Sequence, residues 1–284
     1  MRLPSAALLV LCSFSVAVCQ QPDQPAKDAS TFCDTVGQNI QHPEALADAC
    51  RFVVSLRRNL PNVVCDQTTK RYVRPTPGIF EEKPKDTVTA HVIYEDGRER
   101  YSDVTIDGVP QPKKLNELEG QYSVGEFGTD LIFTFTAENH PSYRFLRNDS
   151  LSHHHVFVYE AKVARENNHG WVLQSNGRST YPEFLAELWI DQTSHQILRF
   201  DLTPVPDADF PVSNVQLRTE YQNLPLGDGT DFVLPIKSES SSCLWTTPKR
   251  HIAFCNYNLL AFKNCHKFRA KSRIVTDGED PPKN

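Results

Sequence analysis

The sequence predicts a mainly β protein: a curved antiparallel sheet of half-barrel type with an N-terminal amphipathic helix packed on it. Three observations carry that expectation. Residues 44–60 place apolar side chains at helical spacing. From Val63 onward the apolar period drops to two, in a succession of short stretches separated by turn residues. Those stretches follow one another without the strand–helix alternation of a parallel sheet, which argues for a curved antiparallel sheet or a partly open barrel.

The helix is read from Glu44 to Leu60. Leu46, Ala49, Cys50, Val53 and Leu60 share one face, while Asp48, Arg51, Arg58 and Asn59 lie elsewhere. His42-Pro43 precedes the helix and Pro61 ends it. Strands are read over 64–73, 86–94, 99–106, 131–135, 143–146, 155–163, 171–173, 186–190, 196–203, 216–222 and 233–241, with a long closing segment over 251–273. Asp96-Gly97 and Asp107-Gly108 mark hairpin turns, Gly125 and Gly128 a bend, and Gln192 to His195 a tight hairpin.

The chain begins as an exported protein does. Arg2 supplies a positive start, Ala6 to Val18 an apolar stretch too short to span a bilayer, and Ala17 and Cys19 the small residues of a cleavage site. Residues 1–19 are therefore read as a signal peptide, with Gln20 or Val18 as the mature N-terminus. Lipid anchoring at Cys19 is the alternative, although Val18 stands where a lipoprotein signal wants a smaller residue. Residues 20–42 read as a flexible leader, 43–275 as a single domain and 276–284 as an acidic, Pro-rich disordered tail. A periplasmic or secreted location follows.

Cysteine usage agrees with export. Beyond the signal region stand Cys33, Cys50, Cys65, Cys243, Cys255 and Cys265, an even number that favours a disulfide framework. Three lie near each end of the chain. An odd number cannot pair within its own cluster, so full oxidation requires at least one bridge between the ends. The net charge of −5 is mild, and no run of Lys or Arg suggests nucleic acid.

Few constellations point to chemistry. His153 and His155 alternate as metal ligands on a strand would, but two ligands are too few and a solvated strand start explains them. Glu126 and Asp130 flank Gly128 and would do acid–base work only in a cleft that pushed their pKa values apart. Asn148-Asp149-Ser150 has the form of a glycosylation sequon and is read as a turn. Asp191 is read as a turn former. No nucleophile elbow, zinc-protease helix or phosphate loop is found, and nothing calls for a metal or a cofactor.

Glu187-Leu188-Trp189-Ile190-Asp191, a short turn, and Gln196-Ile197-Leu198-Arg199-Phe200-Asp201 resemble the Trp-containing hairpin of the outer-membrane lipoprotein-carrier (LolA-like) superfamily. Phe232-Val233-Leu234-Pro235, followed by Tyr257 and Phe268, is similar to the closing strands of those half-barrels. Over most of residues 50–275, including Val64-Cys65-Asp66-Gln67-Thr68-Thr69 and Gly125-Glu126-Phe127-Gly128-Thr129-Asp130, the chain also resembles secreted proteins of soil acidobacteria. The carrier resemblance implies a half-barrel plugged by helices that takes a lipid or a lipoprotein acyl chain.

The function expected is a non-enzymatic, extracytoplasmic binding protein for an apolar ligand. Its cavity is expected between the 44–60 helix and the sheet, with Trp189 and Phe200 near it and Phe133, Phe135 and Phe262 as further candidates. Opposite faces of one strand cannot both line a cavity, so some of these point away. The alternatives are an envelope protein-interaction module without a cavity, whose partner would be another envelope protein, and a hydrolase.

Overall fold

The computed structural model describes residues 26–74, 82–95, 97–226, 231–246 and 251–268. The signal region, the start of the leader, Asp96 and the acidic tail lie outside the described residues. Two helices open the described chain, α1 (Ala26–Thr35) and α2 (Pro43–Asn59). The first falls inside the segment expected to be a flexible leader. It is tied down by the Cys33–Cys50 disulfide to α2, with Cys33 and Val36 buried. The second matches the helix read from periodicity, and Ala45, Leu46, Ala49, Cys50, Val53 and Leu56 are its buried face. Pro43 takes the first helical turn, where its missing N–H costs nothing. His42 just before it adopts φ 53°, with its ring stacked 4.0 Å from Phe157 and its carbonyl accepting the Tyr159 hydroxyl at 2.8 Å.

The sheet is built from β1 (Val63–Arg74), β2 (Lys83–Glu95), β3 (Arg98–Ile106), β4 (Val109–Pro110), β5 (Ser142–Leu151), β6 (His154–Val163), β9 (Glu183–Asp191), β10 (Ile197–Val205), β11 (Val212–Pro225), β12 (Asp231–Thr246) and β13 (His251–Lys267). Two short strands, β7 (Leu173–Ser175) and β8 (Arg178–Thr180), form a separate hairpin. The eleven strands run in the order β4-β3-β2-β1-β13-β12-β11-β10-β9-β6-β5, antiparallel at each ladder, and do not close into a barrel. Pairing of β1 with β13 places the two ends of the domain side by side in the middle of the sheet.

One row shows how the sheet presents a single face. Ile106, Val88, Thr69, Leu260, Ser238, Thr219, Phe200, Leu188, Tyr159 and Phe145 oppose one another in register across ten strands. Because side chains alternate across a strand, all of these point to the same side, the side that α2 covers. A bulge at Leu198 keeps the set intact: Ile197 opposes Ile190 while Arg199 opposes Trp189, so Ile197 and Phe200 both reach the helix.

The sequence reading placed a strand over Leu131 to Phe135, and the chain instead forms a short helix, α3 (Thr129–Thr134). Five consecutive bulky residues carry no period that separates a buried helix from a buried strand. The deciding signal is Gly128 at φ 117°, which turns the chain into the helix. The Asn148-Asp149-Ser150 turn is likewise corrected. These residues sit inside β5, and the turn comes later, with Ser152 at φ 55°.

Three layers cover the helix-side face. Over β6, β9 and β10 lie α1, α2 and α3, burying Phe135, Tyr159, Phe184, Leu188, Ile190, Phe200 and Leu202. Over β1, β2 and β13 lie Leu60, Phe127 and Leu226, burying Tyr94, Leu260 and Phe262. Leu115 and Leu118 close Val88, Ala90 and Val104 at the β2–β3 end. Between the apolar ends runs a buried polar belt of Gln67, Thr69, Arg71, Thr219, Ser238, Ser240, Ser242 and Asn258. Gln121 is its clasp. It donates to Ser240, accepts from Ser242, and receives the Asn258 amide on its backbone carbonyl. Arg71 is held by Asp86 through two contacts, the longer 2.7 Å, and donates to the Glu119 carbonyl at 2.6 Å.

All six cysteines of the described residues pair: Cys33–Cys50 within the helices, Cys243–Cys255 across β12 and β13, and Cys65–Cys265 across β1 and β13. The last is the required bridge between the ends, with a sequence separation of 200. On the chain-entropy account a loop of that size stabilises by about 5 kcal/mol, and the shorter loops by about 3 kcal/mol each. Replacing both Cys65 and Cys265 by Ala is therefore expected to cost more stability than replacing both Cys243 and Cys255. Urea denaturation of the two double variants checks the order, and equal or reversed losses contradict it.

Candidate functional site

The five aromatic residues expected at a ligand cavity separate into three places. Phe200, Phe135 and Phe133 come together under the helices. Phe200 and Phe135 are each about 1% exposed, and Phe133 lies half-buried at the margin. Phe262 lies in the neighbouring cluster, its ring 5.3 Å from Phe127 and edge-on to it. Trp189 points the other way. It packs with Val156 and Val158 on the sheet face opposite α2, under the guanidinium groups of Arg199 at 3.8 Å and Arg147 at 5.2 Å. The reason is parity: Leu188 and Ile190 take the helix side, so Trp189 between them cannot.

The space under α2 is occupied by the protein's own side chains. Phe145, Phe157 and Tyr159 pack edge to face at 5.5–6.4 Å, His42 stacks on Phe157, and Phe135 lies over Tyr143 at 5.7 Å. Around this centre sits a rim of half-buried apolar side chains: Phe32, Ile40, Phe52, Val54, Ile132 and Phe133. α2 meets the sheet's polar groups at its N-terminal end, through the His42 carbonyl, and at Asp48, which pairs with His195 at 2.7 Å. Hydrogen bonds from His195 and then Arg51 hold the Asp48 carboxyl below its ordinary range. His195 itself sits in the β9–β10 turn that Asp191 organises by accepting the Thr193 and Ser194 amides at 3.0 and 2.7 Å.

Two open spaces lie elsewhere. A void of about 10 Å³ lies under the 115–123 segment, against Gln67, Thr69 and Arg71, and is about the size of one water. A groove of about 400 Å³ runs along β9 to β13 on the Trp189 side, lined by Glu187, Arg199, Asp201, Arg218, Glu239 and Tyr257. Asp201 at its centre accepts from both Arg199 and Arg218. The histidine run does not gather at a metal: Ser152 and His153 make the turn, and His154 bonds Asp191 at 2.8 Å. Among the described residues no group of His, Cys, Asp and Glu is arranged to hold a metal.

Sequence reasoning paired Glu126 with Asp130 but missed their third partner. Glu99 of β3 joins them; Glu126 and Asp130 are buried and Glu99 is half-buried. Glu99 accepts the amides of Gly125 at 3.0 Å and Phe127 at 3.1 Å, the Tyr101 hydroxyl at 2.9 Å and the Thr129 hydroxyl at 3.4 Å. Glu126 accepts the Ser123 hydroxyl at 2.7 Å on one oxygen, while its other oxygen is buried without a hydrogen-bond partner. Asp130 accepts the Trp171 indole N–H at 3.1 Å. Burial, and then the Glu99 charge, push Glu126 up to about 7. Burial and the two neighbouring carboxyls raise Asp130 well above its ordinary value. Burial also raises Glu99, against four hydrogen bonds that favour its ionised form.

The packing is tight enough to test. A Cβ on Gly170 would stand 1.9 Å from the Phe133 ring. Gly170→Ala is expected to expel that ring and lower the thermal midpoint by several degrees, whereas Gly177→Ala meets no side chain and is strained only by its φ of 73°. Phe200→Ala is expected to cost about 3–5 kcal/mol in chemical denaturation, as for a fully buried aromatic residue.

No family model and no curated protein matches the chain. Among solved structures it is similar to a LolA superfamily protein from Nitrosomonas europaea, at 14% identity and a TM-score of 0.33, over 80% of this chain and 95% of that one. It is similar to a domain assigned to outer-membrane lipoprotein sorting from Vibrio parahaemolyticus, at 9% identity and a TM-score of 0.39, over 82% and 93%. A DUF1329 family protein from Desulfovibrio piger is similar at 9% identity and a TM-score of 0.37, over 78% and 92%. These are likenesses of chain path, and they transfer no residue role to this chain.

Proposed function

We propose that the protein is a non-enzymatic, extracytoplasmic binding protein for an apolar chain, such as the acyl chain of a lipid or lipoprotein. One observation carries the reading. The aromatic face of β5, β6, β9 and β10 is covered by helices rather than by a second sheet, and its apolar surface continues outward into the half-buried rim of Phe32, Phe52, Val54, Ile132 and Phe133. The covering is local, made by α1, α2 and α3, and can be displaced without breaking a strand ladder. An acyl chain would enter at the rim and take the place of protein side chains between α2 and Phe200. Trp189 has no part in this site, and Phe262 lines only its continuation. The location is supported by the three disulfides, which form and persist in oxidising compartments.

A second reading is favoured by the groove on the other face. An envelope protein-interaction module would use Arg199, Arg218, Asp201 and Glu239 there, and leave the aromatic core filled.

Titration with a fluorescent fatty-acid analogue separates the two. The expected result is saturable binding that weakens at least tenfold in Phe145→Glu, which places a charge at a half-buried position beside the core, and is unchanged in Trp189→Lys. Folding of each variant is followed by circular dichroism. If fatty acids, phospholipids and acylated peptides all fail to bind saturably, the apolar-ligand reading falls and the interaction module replaces it.

A further inference from the structure

We propose that the segment from Glu119 to Thr134 is a proton-held latch: it stays seated on β3 while Glu99, Glu126 and Asp130 share protons, and lifts as they ionise. The latch is independent of whether an apolar ligand binds.

The geometry comes first. The segment is held at its start by Arg71, which donates to the Glu119 carbonyl, and by Gln121 on the polar belt; beyond Val124 it hangs from β3 by the Glu99 carboxylate, which takes the Gly125 and Phe127 amides and the Thr129 hydroxyl. It then meets two further carboxyls of its own, Glu126 and Asp130, 1% and 5% exposed. Gly125 admits this crowding. Its φ of 114° and missing Cβ leave room for an Asp130 oxygen that would lie 2.6 Å from a Cβ there. The groups facing the cluster are Tyr101 from β3, Tyr221 from β11, the Trp171 indole, and the Ser123 and Thr129 hydroxyls of the segment itself. Tyr94 of β2 stacks on Phe127 beside it. The charges that act on Glu126 and Asp130 are those of carboxyls, with no cation among them.

Two buried carboxyls that feel each other and a half-buried third cannot all be ionised without a counter-charge. Glu99, with four donors, is the one that keeps its charge. Glu126 and Asp130 then carry the protons, and the unpartnered Glu126 oxygen is where one of them resides.

The sign follows from the raised values. Between the ordinary value of 4.5 and about 7, seated Glu126 keeps a proton that it would lose in the lifted state. The seated form is thus fully favoured below that window and loses its advantage as pH rises through it. Asp130, also raised, acts in the same direction. The lifted fraction grows by about tenfold per pH unit for one such proton, on the order of a hundredfold across the window.

Lifting has structural consequences on both sides. The segment supplies Gln121 to the polar belt, Phe127 to the cluster around Phe262, and Leu131 to the core under α2. One protonation event therefore reaches each of the covered regions.

The test uses the mature, oxidised full chain with ¹⁵N-labelled tryptophan. The Trp171 indole reports on Asp130 directly, and Trp189 and Trp245 serve as internal controls. The Trp171 indole resonance is expected to titrate within about a unit of pH 7, together with a loss of hydrogen-exchange protection in peptides covering 119–134. The controls are expected to stay still. Glu126→Gln, which fixes the neutral form, should abolish this transition or move it upward. Ser123→Ala, which removes a donor that favours ionised Glu126, should raise its midpoint. A wild-type Trp171 resonance and protection pattern unchanged from pH 5 to 9 would overturn the latch, whatever the variants do. An unaltered transition in folded Glu126→Gln would overturn the part assigned to Glu126.

Discussion

The rest of the structure depends on one constraint: an eleven-stranded sheet that does not close must hide one long face. A helix of 17 residues is about 25 Å long and cannot cover it. The chain solves this piecemeal. Three helices cover the β6–β9–β10 end, the 115–128 segment covers the β1–β2–β3 end, and the strip between them is made of hydroxyl and amide side chains. A polar strip needs hydrogen-bond partners rather than an apolar lid, and Gln121 supplies Ser240 and Ser242 from its side chain and Asn258 from its carbonyl. Each cover can therefore be small.

Small covers must be fastened, and the fastenings differ in kind. The Cys33–Cys50 disulfide ties α1 to α2, and Asp48–His195 ties α2 to a sheet turn. The 119–134 segment is tied at its start by Arg71 and Gln121, and beyond Val124 its tie to β3 is a carboxyl. Carboxyls without a cation hold only while protons are shared, so this fastening weakens as pH rises. Its position between two apolar clusters gives that response leverage over both.

Much of this architecture was legible in the sequence. The amphipathic period of α2, the change to period two at Val63 and the Asp107-Gly108 turn each depend on neighbours in the chain, and each is found where the pattern puts it. The inter-end disulfide followed from counting to an odd number. The misread elements share a cause. Leu131 to Phe135 has no polar side chain longer than Thr134 to mark a solvent face, so it shows no period, and Gly128 alone announces the helix. The polar belt left a trace in the Ser238-to-Ser242 run, but a run of serines on a strand ordinarily reads as solvent-facing, and its burial depends on Gln121, more than a hundred residues away. Glu99 was invisible for the same reason. Its partners are Gly125, Phe127 and Thr129, and nothing local marks a surface-like Glu-Arg-Tyr strand as the anchor of a distant loop.

Trp189 shows the limit most clearly. Alternation along β9 tells which residues share a face, but not which face meets the helix. The sequence Leu188-Trp189-Ile190 offers two self-consistent assignments: the tryptophan inside with its neighbours outside, or the reverse. What decides between them is the far side of the pairing. Leu188 opposes Tyr159 and Phe200, whereas Trp189 opposes Val158 and Arg199. An arginine cannot be carried under α2 without a partner for its charge, so the strand turns its Leu188 face inward. Trp189 is left to stack beneath that same arginine, whose guanidinium lies 3.8 Å above the ring and is neutralised by Asp201. The cost of burying one charge on β10 thus fixes the orientation of β9, and with it which aromatic residues a ligand under α2 can touch.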